Sequence, residues 1–136
     1  MKASVKWLGN AAFEAETDSG HTLVMDGPPD AGGENRGPRP MEMLLLGTAG
    51  CSAFDVVHIL QRGRHAVADC QVSVEAERAE NPPKVFTRIH LHFKVSGEGL
   101  PEKAVARAVQ LSAEKYCSAS IMLGKAAEVT HSHELV

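Results

Sequence analysis

Long apolar runs are missing from this chain of 136 residues: the longest uncharged stretch, Met43 to Phe54, is twelve residues. A membrane span needs about 18 or more, so neither a span nor a membrane partner is expected. No sign of charge dominates. Fourteen Lys and Arg stand against 17 Asp and Glu, a formal charge of -3. With both signs mixed along the chain, this argues against nucleic acid as a partner. The opening Met-Lys-Ala-Ser-Val-Lys-Trp has no apolar h-region, so no signal peptide is expected. Cysteine is scarce, with three in all. An odd number without secretory context points to free or catalytic thiols in a reducing cytoplasm, not to a disulfide framework. No internal repeat and no composition break divides residues 1–136, so one domain is expected. A domain of that size buries roughly two thirds of its unfolded surface.

What is present reads as an α+β chain. Residues 2–8 and 11–16 flank Gly9-Asn10, a hairpin signal, and His21 to Met25 forms a third strand after the turn at Asp18-Ser-Gly20. Gly27 to Pro40 holds four prolines and four glycines and is a loop. Loops of this length are often functional. Pro40 suits the first turn of a helix running to about Arg62, with Gly63 as its stop. The first two thirds of that helix are apolar all round, which predicts burial on most sides. Gly47 and Gly50 each cost about 1 kcal/mol there relative to alanine, so a close helix neighbour is expected. Val72, Val74 and Ala76, then Val85, Thr87, Ile89, Leu91, Phe93 and Val95, alternate with polar residues as a hairpin with one buried face. A second helix starts near Pro101 and points Val105, Ala108, Val109, Leu111 and Ala113 inward. A short third helix over 118–125 and a strand over 129–135 complete the order βββ-α-ββ-α-α-β.

Two cysteines stand in chemically informative places. The thiolate is the reactive form, so what lowers each pKa matters. Cys117 precedes a helix expected to start at Ser118, whose amides and dipole favour a thiolate. Cys51 has Asp55 four residues on, a carboxylate that raises a thiol pKa. Its activation needs a cation from elsewhere in the fold or from a partner subunit. If the fold brings Cys51 and Cys117 together they form a dithiol pair; otherwise both are packing residues, as buried cysteines often are. Cys70, at the start of an alternating strand, reads as structural.

The segment Pro40-Met-Glu-Met-Leu-Leu-Leu-Gly-Thr-Ala-Gly-Cys-Ser-Ala-Phe-Asp-Val-Val57, followed by Leu111-Ser-Ala-Glu-Lys-Tyr-Cys117, resembles the OsmC/Ohr family, and within it the YhfA-like OsmC branch. The resemblance runs over essentially the whole chain. It implies an OsmC-like intertwined α+β homodimer with a central buried helix between sheets from both chains. It further implies reduction of small-molecule organic hydroperoxides, with Cys51 as the peroxidatic and Cys117 as the resolving cysteine. A dithiol reductant such as dihydrolipoamide restores them, and no cofactor is implied. The chain departs from the family's active enzymes at two places. Met41 stands where they carry a glutamate, with Glu42 rotated about 100° away on the helix. Residues 1–26 contain Lys2 and Lys6 but not the expected arginine. Arg36 and Arg39 in the loop are the cations left for that role. The alternative implied is a non-enzymatic OsmC-like stress protein that binds an apolar ligand or partner in the dimer cleft.

Other groupings carry less. His90-x-His92 and His131-x-His133 each place two imidazoles on one strand face, and a metal site would need all four to converge. None is expected. The loop Asp30 to Arg36 lacks phosphate-loop spacing. Glu114 is expected to pair with Lys115 or Arg107, and Asp55 and His58 to form a polar end of the first helix.

Overall fold

In the computed structural model, which describes every residue from Met1 to Val136, the elements follow the expected order. Strands β1 (Ala3–Gly9), β2 (Ala12–Thr17) and β3 (Thr22–Asp26) precede helix α1 (Pro40–Arg62). Strands β4 (Asp69–Arg78) and β5 (Phe86–Ser96) follow, then α2 (Glu102–Leu111), a π-helical turn (Ser112–Tyr116), α3 (Ser118–Leu123) and β6 (Glu128–Leu135). The chain divides into two units, Met1–Leu45 and Leu46–Val136, with the division inside α1.

The N-terminal unit is an antiparallel meander, β1-β2-β3. Gly9 and Asn10 both take positive φ at the first turn, and Gly20 does at the second. These are the residue types that reach the left-handed region at least cost. Register places Trp7 opposite Phe13, which lies opposite Met25, and Val5 opposite Ala15, which lies opposite Leu23. One sheet face is therefore apolar, yet Val5 and Trp7 are 58% and 62% exposed.

The loop after β3 is organised by one carboxylate. Asp26 is buried and accepts backbone N–H groups from Gly27, Glu34 and Arg36 at 2.8, 2.9 and 3.2 Å. The chain can fold back so tightly only without side chains: a Cβ at Gly33 would strike the carbonyl of Gly27, and one at Gly37 the carbonyl of Val24. The N–H of Glu34 above all, with those of Arg36 and Gly27 and the Arg36 charge, holds the Asp26 carboxyl below its ordinary value despite burial.

In the second unit the sheet order is β4-β5-β6. β4 and β5 form the expected antiparallel hairpin, while β6 pairs parallel to β5. The parallel return is made possible by the α2–α3 crossover. Phe86, Ile89, Leu91, Phe93 and Val95 make the buried face of β5, packed with Val105, Ala108 and Val109 of α2 in the core. Phe93→Ala is expected to destabilise by about 3–5 kcal/mol in urea unfolding. Two expectations are corrected here. A register shift between Glu77 and Arg78 puts Phe86 inward and leaves Val85 47% exposed. Leu111 and Ala113 are only half-buried, because the helix widens into the π-turn after Leu111.

Helix α1 also differs from expectation. Thr48, Ser52, Val56 and Leu60 are buried, one residue in every four, while Leu46 and Phe54 are 58% and 68% exposed. A single stripe is covered, so the helix is not buried on most sides by its own chain. Nothing lies within 4 Å of a Cβ at Gly47 or Gly50. With 23 residues and a mean hydropathy of 1.7, α1 is long and apolar enough to cross a membrane, so the twelve-residue run did not exclude that. Its C-terminus is closed by N–H of His65 to the Leu60 carbonyl and N–H of Arg64 to that of Gln61. The left-handed residue is Arg64 (φ 62°), one beyond the glycine expected to stop the helix.

Candidate active site

The structure brings Cys51 and Cys117 together as unbonded thiols. Their Sγ atoms and a carboxylate oxygen of Asp55 all lie within 4.8 Å of one another. Three local devices produce this. Cys51 and Asp55 are one helical turn apart on α1, so both project from one face. The π-turn ends at Cys117, whose N–H donates to the Ser112 carbonyl five residues back at 2.9 Å. Cys117 then caps α3, its Sγ accepting the N–H of Ser120 at 3.4 Å. The expected helix start at Ser118 is where the sequence placed it.

Hydroxyl groups fix the cluster from outside. Ser52, in the buried stripe of α1, donates to Cys117 Sγ at 3.1 Å. Ser112 donates to the Asp55 carboxylate at 3.1 Å. Cys117 is fully buried and Cys51 half-buried.

The two thiols differ in acidity. Burial pushes the Cys117 thiol up, but the Ser120 hydroxyl, the Ser52 hydroxyl, the Ser120 N–H and the Cys51 thiol outweigh it and hold it below its ordinary value. For Cys51 the Ala119 N–H is the strongest influence and pulls down, yet burial, the Cys117 sulfur and the Asp55 charge together carry it above its ordinary value. The two thiols titrate as a pair, and the surroundings of Cys117 favour its thiolate while those of Cys51 oppose one. Cys70 stands apart, raised by burial and then by Asp69.

The remaining predicted residues lie in the N-terminal unit. Glu42 accepts the backbone N–H of Arg39 at 3.3 Å, fastening the start of α1, and pairs with the Arg39 guanidinium at 3.4 Å. Arg36 gives its N–H to Asp26. The four histidines do not converge. His90 and His92 share a sheet face with Thr130 and Ser132, whereas His131 and His133 are in register with Leu91 and Phe93 on the opposite face. His131 stacks on Phe93, and its Nε2 is buried with no hydrogen-bond partner. Glu114 accepts from Gln110 at 3.3 Å, not from Lys115 or Arg107. Asp55 turns to Ser112, while His58 stacks on Phe54.

The chain belongs to the OsmC family: the family model described as OsmC-like protein matches residues 32–132. Protein YhfA of Escherichia coli strain K12 is 53% identical over 136 residues, covering 100% of this chain and 98% of the relative. The crystal structure of a hypothetical protein from Aquifex aeolicus VF5 is 31% identical, with TM-score 0.86 over 99% of this chain and 95% of that one. The organic hydroperoxide resistance protein OhrB of Bacillus subtilis is 19% identical, with TM-score 0.66 over 98% and 96% of the two chains, and shows a common fold.

Proposed function

We propose that this protein reduces organic hydroperoxides with Cys51 and Cys117, and that a dithiol of the dihydrolipoamide type regenerates them. The observation that supports it is two unbonded thiols in one cluster within 4.8 Å, one of them surrounded by donors that favour its thiolate. Cys117 carries the charge, and Cys51 is the more accessible sulfur. The proton passes from Cys51 to Cys117, and the Cys51 thiolate attacks the peroxide. The O–O bond breaks, the alkoxide leaves and takes a proton from solvent, and Cys51 becomes a sulfenic acid. The Cys117 thiol then displaces water from that sulfur to form the disulfide. The external dithiol reduces it through a mixed disulfide and is itself oxidised.

The test is steady-state consumption of an organic hydroperoxide with dihydrolipoamide. Cys51→Ser abolishes turnover. Cys117→Ser loses both the proton acceptor and the resolving thiol, so without dithiol it reacts once and slowly, leaving a sulfenic acid on Cys51 that dimedone traps. Parental turnover by Cys51→Ser, or a dimedone adduct on Cys117, contradicts these roles.

The working form is proposed to be a cytoplasmic homodimer. Exposed Leu46 and Phe54, the open flanks of Gly47 and Gly50, and the uncovered Val5 and Trp7 support it, since apolar surface of this extent marks an interface. Light scattering is expected to give twice 14.5 kDa, and Phe54→Glu to shift the chain toward monomer.

A second reading, ligand binding without catalysis, is favoured by a groove of about 760 Å³ between α2, α3 and β6. Val109, Ile121 and His131 line it, and His131 carries the unpartnered Nε2. In that case Cys51→Ser leaves binding intact.

A further inference from the structure

We propose that Cys51, Cys117 and Asp55 form a binding site for one thiophilic divalent cation, zinc above all. The inference uses the side chains of the proposed redox pair but does not depend on their reacting with peroxide.

The donor set is the first argument. Two sulfurs and a carboxylate oxygen lie mutually within 4.8 Å. Ligands of a tetrahedral zinc, at about 2.3 Å for sulfur and 2.0–2.2 Å for oxygen, are separated by about 3.6–3.8 Å. Side-chain rotations that draw the three atoms together by up to about 1 Å close the difference. Thiolates select zinc over magnesium or calcium, which prefer all-oxygen shells.

The surroundings are the second. Partners of the three groups are Ser52, Ser112, Ser120 and the Ala119 amide, all neutral. Three acids thus share a point with only neutral partners, and a dication would offset two of their three charges. Ser112 orients the Asp55 carboxylate as an outer-shell partner orients a metal ligand. Ser52 and Ser120 do the same for Cys117.

Access is the third. Asp55 lines a cavity of about 500 Å³ together with His58, Ile59, Arg62, Leu111 and Tyr116. Asp55 is the ligand that faces this cavity, and two thiolates, one carboxylate and one dication leave a single negative charge that Arg62 in the same cavity offsets. Each thiol releases its proton to solvent as it binds, and no bond is oxidised or reduced. Three protein ligands leave the fourth position to water.

Occupancy has a consequence. With both sulfurs on the metal, neither attacks a peroxide or an alkylating agent, so zinc becomes a reversible inhibitor that preserves the pair in its reduced state.

Reduced protein, held without oxygen, is titrated with cobalt(II) as the spectroscopic probe and then with zinc(II). One cobalt per chain is expected, with a sulfur-to-cobalt charge-transfer band that zinc displaces. The band is lost in Cys51→Ser and in Cys117→Ser and kept in Cys70→Ser. Asp55→Asn weakens binding by more than tenfold, and Ser112→Ala by on the order of tenfold. Zinc protects Cys51 and Cys117, but not Cys70, from iodoacetamide until a chelator is added. Circular dichroism establishes that each variant is folded. A band that survives in folded Cys51→Ser, an unchanged affinity in folded Asp55→Asn, or no stoichiometric binding by the parent overturns the site. Peroxide consumption is read separately: binding without peroxide chemistry retains the metal site and removes the redox reading, and the reverse result does the opposite.

Discussion

Asp26 and Cys117 are two buried acids solved by the same device and put to different ends. Each collects hydrogen-bond donors, and each is held below its ordinary pKa. Around Asp26 the donors are backbone amides of Gly27, Glu34 and Arg36, groups that hold their protons, so the result is a fixed loop. Around Cys117 the donors are two serine hydroxyls, one amide and a second thiol. A thiol can give up its proton and attack. A buried anion therefore becomes a structural anchor or a reactive centre according to whether one of its donors is itself a nucleophile.

Loss of the thiol donor beside Cys117 is expected to matter most. Replacing Cys51 by Ser removes the nucleophilic donor and turns Cys117 into a second anchor. Its thiol then survives an organic hydroperoxide, as counted by alkylation and mass spectrometry. Asp26→Asn comes next and acts on the first half. The folded-state pKa of Asp26 lies below the ordinary 3.8, so the unfolded chain binds the proton more readily. Its contribution to stability is present above pH 3.8 and is lost as pH falls through the folded value. Thermal unfolding is expected to show a lower Tm for Asp26→Asn near neutral pH and a gap from the parent that closes in acid. The smallest effect is Ser52→Ala. It removes one of several donors, so the pH midpoint of Cys117 alkylation moves upward while the fold is retained.

How far the sequence reached follows from which forces are local. The order of strands and helices, the α1 start at Pro40 and the cap at Cys117 were all legible, because turn residues and apolar periodicity act over a few positions. The two motifs that resemble the family singled out Cys51 and Cys117, but whether the fold brings them together was left open until the structure placed their sulfurs within 4.8 Å. The π-turn at Ser112–Tyr116 was not legible, since one wider hydrogen bond has no composition signature. Nor was the parallel pairing of β6, which puts His90 and His131 on opposite sheet faces although each pair looked equivalent in sequence. Asp55 was read as a charge that opposes the Cys51 thiolate and, with His58, as a polar end of the first helix. Its bond to Ser112, 57 residues away, is set by tertiary packing. The one available signal was its i+4 spacing from Cys51. The end of α1 at Arg62 was legible too, although the left-handed residue that follows it is Arg64 and not Gly63.

The most direct test of the redox pair is thiol counting by mass spectrometry on the parent protein after one equivalent of an organic hydroperoxide. The account predicts rapid loss of two thiols, a Cys51–Cys117 disulfide, an untouched Cys70, and return of both thiols on adding a dithiol. Survival of all three thiols, or slow overoxidation of Cys51 alone, would contradict it.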